Sequence, residues 1–123
     1  MKHLNILVVD DKKVIGDFFN LTMGYYGHHI TVVHDLEHTL KAIQSHHFDI
    51  AFIDMLMPDK DGVEVLKEVK AIAPKLAVVM MSGYSMDEKH RQAKHLGAVE
   101  CLKKPFEVED IQRVIKETIG EEI

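Results

Sequence analysis

The chain alternates short apolar runs with segments of helical periodicity, five times over. Short, continuous apolar runs are typical of strands that are buried on both faces of a parallel sheet. The segments between them carry apolar residues three and four positions apart, which predicts amphipathic helices. The predicted strands cover residues 4–9, 30–33, 48–53, 76–81 and 99–102, and a polar helix spans about Ser85 to His95. This alternation predicts an α/β fold, a parallel sheet with helices on both faces.

Polar side chains follow four of the five predicted strands. The first strand ends at Asp10 and Asp11, the third at Asp54, the fourth at Ser82, and the fifth is followed closely by Lys104. The carboxyl ends of parallel strands lie at one edge of a sheet, where open α/β folds bind their ligands. We therefore expect these five side chains to form one site.

These residue types suit phosphoryl transfer. Carboxylates bind hard divalent cations such as Mg²⁺, and without a cation clustered acids repel each other. An aspartate such as Asp54 can accept a phosphoryl group covalently, while a metal ion and Lys104 neutralise the phosphoryl oxygens and Ser82 bonds another. Helix capping would explain Asp10 and Asp11 alone, but it does not explain why the other three residues follow neighbouring strands.

Four segments, each at a predicted strand end, resemble response-regulator receiver domains of the CheY-like superfamily. They read ILVVDD at 6–11, IDMLMPDKDG at 53–62, VMMSG at 79–83 and LKKPF at 102–106. The resemblance runs through the whole chain and implies one receiver domain over residues 1–123, of the single-domain type. The fold implied is a flavodoxin-like, doubly wound, five-stranded parallel sheet of order 2-1-3-4-5 with five helices.

The resemblance also implies a role for each site residue. Asp54 corresponds to the phosphoacceptor, Ser82 to the switch hydroxyl and Lys104 to the lysine that pairs with the phosphoryl group. The implied Mg²⁺ ligands, for which Mn²⁺ is an alternative ion, are Asp10, Asp11, Asp54 and the backbone carbonyl of Leu56. The bond between Lys104 and Pro105 is expected to be cis.

The implied function is phosphorelay signalling rather than enzymatic turnover. A histidine kinase or a histidine phosphotransfer protein would phosphorylate Asp54, and the resulting change of shape would regulate a protein partner through residues 86–116. No output domain is expected within this chain, although it could be a receiver fragment of a longer regulator with an output domain.

Three positions depart from the family's usual pattern or bear on its rates. Cys101 stands where an aromatic residue is usual, and we interpret it as a small packing residue. Leu56 and Tyr84 occupy positions that influence access of water to the phosphoryl group, and neither can orient an attacking water. We therefore expect a long-lived phosphoryl group. Asp59 and Asp61 are interpreted as turn and capping residues.

Composition narrows the partners and the compartment. The net charge is −5 and no basic stripe is present, which argues against a direct nucleic-acid interface. No apolar run is long enough to span a membrane. The single cysteine excludes an internal disulfide and fits the cytoplasm. The nine histidines are interpreted as mostly surface residues, since adjacent pairs point in different directions and chelate poorly.

Two alternatives use the same acids differently. Haloacid-dehalogenase-type hydrolases also combine an aspartate nucleophile with Mg²⁺, but they carry a second aspartate two residues later, where this chain has Leu56. The other alternative is a receiver-fold binding module that does not use phosphorylation. The complete set of acceptor, metal ligands and lysine argues against this second alternative.

Overall fold

The computed structural model describes residues 3–57, 60–83 and 87–120, in which five strands alternate with five helices. The elements are β1 (Asn5–Val9), α1 (Lys13–Tyr25), β2 (His29–Val33), α2 (Leu36–Ser45), β3 (Ile50–Asp54), α3 (Gly62–Ile72), β4 (Ala77–Ser82), α4 (Asp87–His95), β5 (Glu100–Lys103) and α5 (Val108–Ile119). All neighbouring strands are parallel, and their order is β2-β1-β3-β4-β5. The predicted fold and strand order are confirmed.

The strands differ from the prediction mainly at their ends. β3 begins at Ile50 rather than at residue 48, and it extends through Asp54, which pairs with Met81 of β4. The Lys104–Pro105 bond is cis, as predicted. Within the described residues, no helix is long and apolar enough to cross a membrane.

Alternating residues of the central strands divide the core into two layers. Leu7, Ala51 and Val78 are in register and face the layer that contains Val65, Leu66 and Val69 of α3. Ile6, Ile50 and Phe52 face the opposite layer, with Phe19 of α1 and Ile111 and Ile115 of α5. The central strands are therefore buried on both faces. A shift of one residue would move every side chain of a strand into the opposite layer, so this packing specifies the strand register. Met55, Met80 and Met81 are fully buried in this core.

Two aspartates cap the helices on the same side of the sheet. The Asp35 carboxylate accepts the backbone N–H of His38 at the start of α2, and the Asp61 carboxylate accepts the N–H of Val63 at the start of α3. The interpretation of Asp61 as a capping residue is confirmed. Gly62 follows Asp61 at a point where an added Cβ would lie 2.6 Å from the Asp54 carbonyl oxygen. Glycine at this position therefore lets the loop after β3 pack closely beneath the phosphoacceptor candidate.

One histidine contradicts the surface interpretation. His28 is only 5% exposed, and its Nδ1 accepts the backbone N–H of Leu4 at 3.0 Å. Its neighbour His29 is exposed. His28 is buried because it closes the turn between α1 and β2, where its ring bonds the residue that precedes β1.

Candidate functional site

Two acids and a lysine meet at the carboxyl edge of the sheet. Asp54 ends β3 and Asp10 follows β1, and the two carboxylates are 2% and 0% exposed. The Lys104 Nζ donates to Asp10 Oδ2 at 2.9 Å and lies 3.4 Å from Asp54 Oδ1. Its side chain is only 16% exposed. The structure therefore brings together three predicted site residues that are up to 94 positions apart in the chain.

The two buried carboxylates differ in their remaining bonds. Asp10 uses both oxygens, since Oδ1 accepts the N–H of Lys12 at 2.9 Å and Oδ2 accepts from Lys104. Asp54 Oδ1 accepts the N–H of Leu56 at 3.3 Å in addition to its contact with Lys104. Asp54 Oδ2 is buried and has no hydrogen-bond partner among the residues that the structure describes. The site therefore holds one carboxylate oxygen ready for a ligand.

A third acid completes a cluster that could hold a metal ion. One oxygen each from Asp10, Asp11 and Asp54 lie within 4.8 Å of one another. Asp11 is exposed, so the cluster opens to solvent on its side. Burial raises the pKa of Asp54, the Asp10 charge raises it further, and the Lys104 cation only partly opposes this. A divalent cation would relieve the same repulsion, and oxygen ligands suit a hard ion.

Backbone pairing sets the positions of these side chains. The Lys104 N–H donates to the Ser82 carbonyl at 2.6 Å, which continues the pairing of β4 with β5. The Met55 N–H donates to the Met81 carbonyl at 2.7 Å, so the chain leaves β3 directly beside β4. Leu56 then lies at the rim with its side chain 47% exposed. The site is built on rigid strand ends, which favours precise chemistry.

Ser82 lies at the same edge but contacts a residue that sequence reasoning did not select. Its side chain is 1% exposed, and its Oγ lies 2.9 Å from Nε2 of His90, on α4. His90 was included in the surface interpretation, which is incomplete here because the ring bonds a buried hydroxyl. Nothing in the local pattern marked His90, since the contact depends on where α4 sits.

Lys12 is a second residue that the sequence analysis did not select. Its Nζ lies 3.4 Å from Asp11 Oδ1 and 3.8 Å from Asp54 Oδ2. Partial burial lowers the pKa of the Lys12 ammonium, but the charges of Asp54 and Asp11 outweigh this and raise it overall. In the sequence, the only indication of this contact is that Lys12 directly follows Asp10 and Asp11. Lys12 thus contacts the carboxylates that a metal ion would use.

Cys101 supports the packing interpretation. It is partly buried on β5, in register with Met80, and it packs against the core layer beside α3. Burial raises the pKa of its thiol, which keeps it protonated and unreactive at neutral pH. The predicted positions Asp59 and Tyr84 lie outside the described residues.

Known proteins resemble this chain in sequence and in fold. The family model of the response regulator receiver domain matches residues 6–116. The transcriptional regulatory protein ZraR of Escherichia coli is 27% identical over 96% of the chain, which spans only 27% of that protein. The sporulation initiation phosphotransferase F of Bacillus subtilis is 28% identical over 94% of both chains. A CheY-like receiver domain protein of Methanospirillum hungatei superposes with a TM-score of 0.91 at 26% identity, covering 97% of this chain and 95% of its own. The chain therefore belongs to the response regulator receiver domain family of two-component signalling.

Proposed function

We propose that residues 1–123 form one receiver domain that accepts a phosphoryl group on Asp54, in the cytoplasm, from a histidine kinase or a histidine phosphotransfer protein. The observation that carries this proposal is the contrast between the two buried acids. Both oxygens of Asp10 accept hydrogen bonds, from Lys12 and from Lys104. Asp54 Oδ2 accepts none from the residues that the structure describes, and the Lys12 ammonium lies 3.8 Å from it. That oxygen is the nucleophile in our proposal.

The donor set fits Mg²⁺, with Mn²⁺ as an alternative. Three carboxylates converge, and two of them are buried. Burial and the nearby Asp10 charge raise the pKa of Asp54, and a divalent cation would offset this repulsion. We propose Asp10, Asp11, Asp54 and the Leu56 backbone carbonyl as the protein ligands. When bound, the ion would neutralise phosphoryl oxygens and hold them in place.

The chemistry requires little beyond position and charge. Asp54 Oδ2 attacks the phosphorus of a phosphohistidine, a new O–P bond forms, and the P–N bond breaks with its electron pair returning to the donor imidazole. Lys104 pairs with a phosphoryl oxygen, and the Ser82 hydroxyl donates a hydrogen bond to another. The product is an acyl phosphate, and the protein acts as a phosphoacceptor rather than as a turnover enzyme.

The donor must cover the edge that gives access to Asp54, and the surface beside that edge is apolar. Val14, at the start of α1, is 68% exposed, and the partly buried Ile15 and Phe18 follow it on the same helix. A cavity of about 440 Å³ separates α1 from the β5–α5 loop and reaches Lys104 and Phe106. Exposed apolar surface beside a cavity is typical of a protein interface. We propose that the phosphodonor docks here, and that the downstream protein partner uses residues 86–116.

The length of the relatives leaves two arrangements for the output. The chain spans about a quarter of ZraR but nearly all of the sporulation initiation phosphotransferase F. In either arrangement, we propose that the phosphorylated receiver acts on a protein partner and not directly on nucleic acid. A receiver within a longer regulator would use the same phosphoacceptor site.

Acetyl phosphate tests the proposed chemistry without a kinase. We expect the intact mass of the protein to rise by one phosphoryl group in acetyl phosphate and Mg²⁺, and not in EDTA. Asp54→Asn should abolish the gain, whereas Asp17→Asn, which removes an exposed carboxylate on α1, should keep it. An unmodified wild-type protein would favour the binding-module alternative, and modification of Asp54→Asn would assign the acceptor elsewhere.

The phosphoryl lifetime tests the proposal about water access. Leu56 places an apolar, half-exposed side chain at the rim of the site, where it cannot orient an attacking water. We expect the phosphoryl group to persist well beyond seconds after the donor is removed, and Leu56→Asn to shorten its life. A wild-type lifetime of seconds would contradict this.

A further inference from the structure

α4 has unusually little apolar anchorage. Of its described residues only Ala93 is fully buried, and eight of the nine residues from Asp87 to His95 are charged or polar. By contrast, α3 buries five residues, among them Val65, Leu66 and Val69. An element with few buried apolar contacts opens at low free-energy cost. Specific polar contacts therefore carry a larger share of the attachment of α4.

Two consecutive residues of α4 supply such contacts at the edge of the phosphoacceptor site. His90 Nε2 lies 2.9 Å from Ser82 Oγ, at the end of β4. The Lys89 ammonium donates to Asp61 Oδ2, and the other oxygen of Asp61 caps α3 through the N–H of Val63. Burial alone would raise the pKa of Asp61, but the bonds from Lys89 and Val63 lower it overall. Both contacts hold the start of α4 against the rim of the site.

We propose that His90 is a positioning residue. In the unphosphorylated protein its Nε2 accepts a hydrogen bond from the Ser82 hydroxyl, and phosphorylation frees α4 by drawing that hydroxyl away. The inference rests on the proposed function, because it needs a phosphoryl group on Asp54. It goes beyond that function by naming the contact through which the site holds its most polar helix.

The hydroxyl cannot serve both partners with one proton. Serine carries a single O–H donor, and a phosphoryl oxygen is only an acceptor. A proton that points to His90 must therefore leave it before Ser82 can donate to the phosphoryl group. The bond to His90 thus stabilises the unphosphorylated state, and by linkage its loss favours binding of a phosphoryl group at Asp54. The same event removes the polar contact between His90 and the end of β4.

Beryllofluoride with Mg²⁺, which imitates the phosphoryl group without covalent transfer, gives a direct test. We compare the wild-type protein, His90→Leu, His90→Gln and His95→Leu. Glutamine keeps an acceptor that can reach Ser82, and His95 is an exposed histidine on the same helix. Calorimetry measures beryllofluoride affinity, and amide hydrogen exchange measures the opening of α4 without the analogue.

We expect His90→Leu to bind beryllofluoride about two- to tenfold more tightly than the wild-type protein, since one neutral hydrogen bond no longer opposes binding. Its α4 amides should exchange faster, His90→Gln should restore both values towards wild type, and His95→Leu should change neither. Equal affinity and equal exchange in His90→Leu and His95→Leu would overturn the inference while leaving the proposed function intact. Failure of all four proteins to bind the analogue would instead overturn the proposed function, and this inference with it.

Discussion

Two buried side-chain atoms within the described part of the chain lack a hydrogen-bond partner, and they lie at opposite edges of the sheet. Asp54 Oδ2 is at the carboxyl edge and His28 Nε2 is at the amino edge. Burying an unpaired polar atom costs free energy in both places. The two atoms are alike in burial and in missing a partner, yet their surroundings give them different meanings.

The surroundings of Asp54 are charged and those of His28 are mostly not. Asp54 shares its site with Asp10, Lys104 and Lys12. His28 bonds Leu4 through its other nitrogen, and its pKa is lowered first by burial rather than by a charged partner. An unpaired atom indicates a ligand site when charges converge on it and solvent can reach it. Where charges and solvent access are absent, as at His28, the unpaired atom only lowers the stability of the fold and does not indicate a ligand site.

The largest expected effect comes from removing the cation that compensates the acid pair. Lys104→Met leaves two buried carboxylates without their lysine, and we expect a loss of about 3 kcal/mol of stability at pH 7 without divalent ions. The loss should shrink in acid, where Asp54 is protonated. Urea unfolding measures it, with the exposed neighbour Lys103→Met as the control. Equal stability of the two variants would show that Lys104 does not compensate these charges.

Asp54→Asn should act in the opposite direction. Because burial and Asp10 raise the pKa of Asp54 above 3.8, the folded protein holds the proton more tightly than the unfolded chain. The stability that this provides is complete below pH 3.8 and is lost as pH rises through the folded pKa. Ionised Asp54 therefore costs stability at neutral pH, and Asp54→Asn should stabilise by about 1 kcal/mol.

Urea unfolding in EDTA at pH 7 and pH 3.5 measures the Asp54→Asn effect. The gain should be present at pH 7 and small at pH 3.5. A variant less stable than wild type at pH 7 would mean that the bond with Lys104 outweighs the repulsion.

His28 should give a smaller effect, with the reverse dependence on pH. Burial and then His3 lower its pKa below 6.5, so the unfolded chain binds the proton first as pH falls. Stability is therefore full above pH 6.5 and is lost as pH falls through the folded pKa, by on the order of 1 kcal/mol. His28→Asn keeps an acceptor for the Leu4 N–H and should lose part of this pH dependence between pH 7 and 5. The adjacent, exposed His29→Asn is the control, and an identical pH profile in both would contradict the prediction.

The sequence predicted what local periodicity and strand order determine. Asp10, Asp54 and Lys104 lie at the carboxyl ends of predicted strands. In a parallel sheet all these ends lie at one edge, so the three residues were expected to meet there. His28 was predicted wrongly, although a signal existed. Neighbouring residues in an extended segment point to opposite sides, so this pattern already indicated that one histidine of the pair His28 and His29 faces inward.

The sequence could not predict contacts that depend on helix placement or on side-chain direction. His90 meets Ser82 only because α4 packs where it does, and no periodicity encodes that position. Lys12 was visible beside the acids, but its long side chain could extend to solvent as readily as to the site. The ligand role of the Leu56 carbonyl and the partner surface at residues 86–116 stay predictions.

Lys12 supplies the smallest expected effect and refines the comparison of the two edges. Its ammonium lies near Asp11 and Asp54. It therefore already neutralises part of the negative charge that a bound metal ion would neutralise. A pair whose lysine is largely exposed contributes about 0.2–1 kcal/mol, which corresponds to roughly a 1.4- to fivefold rise in Mg²⁺ affinity for Lys12→Gln. Lys13→Gln removes the next lysine, which pairs with Asp17 away from the acid cluster, and should leave Mg²⁺ binding near wild type. Calorimetric titration separates the two variants. Equal affinities would mean that Lys12 is a solvated charge and that Lys104 alone compensates the acids, whereas weaker binding in Lys12→Gln would mean that the ammonium holds the carboxylates in place for the ion.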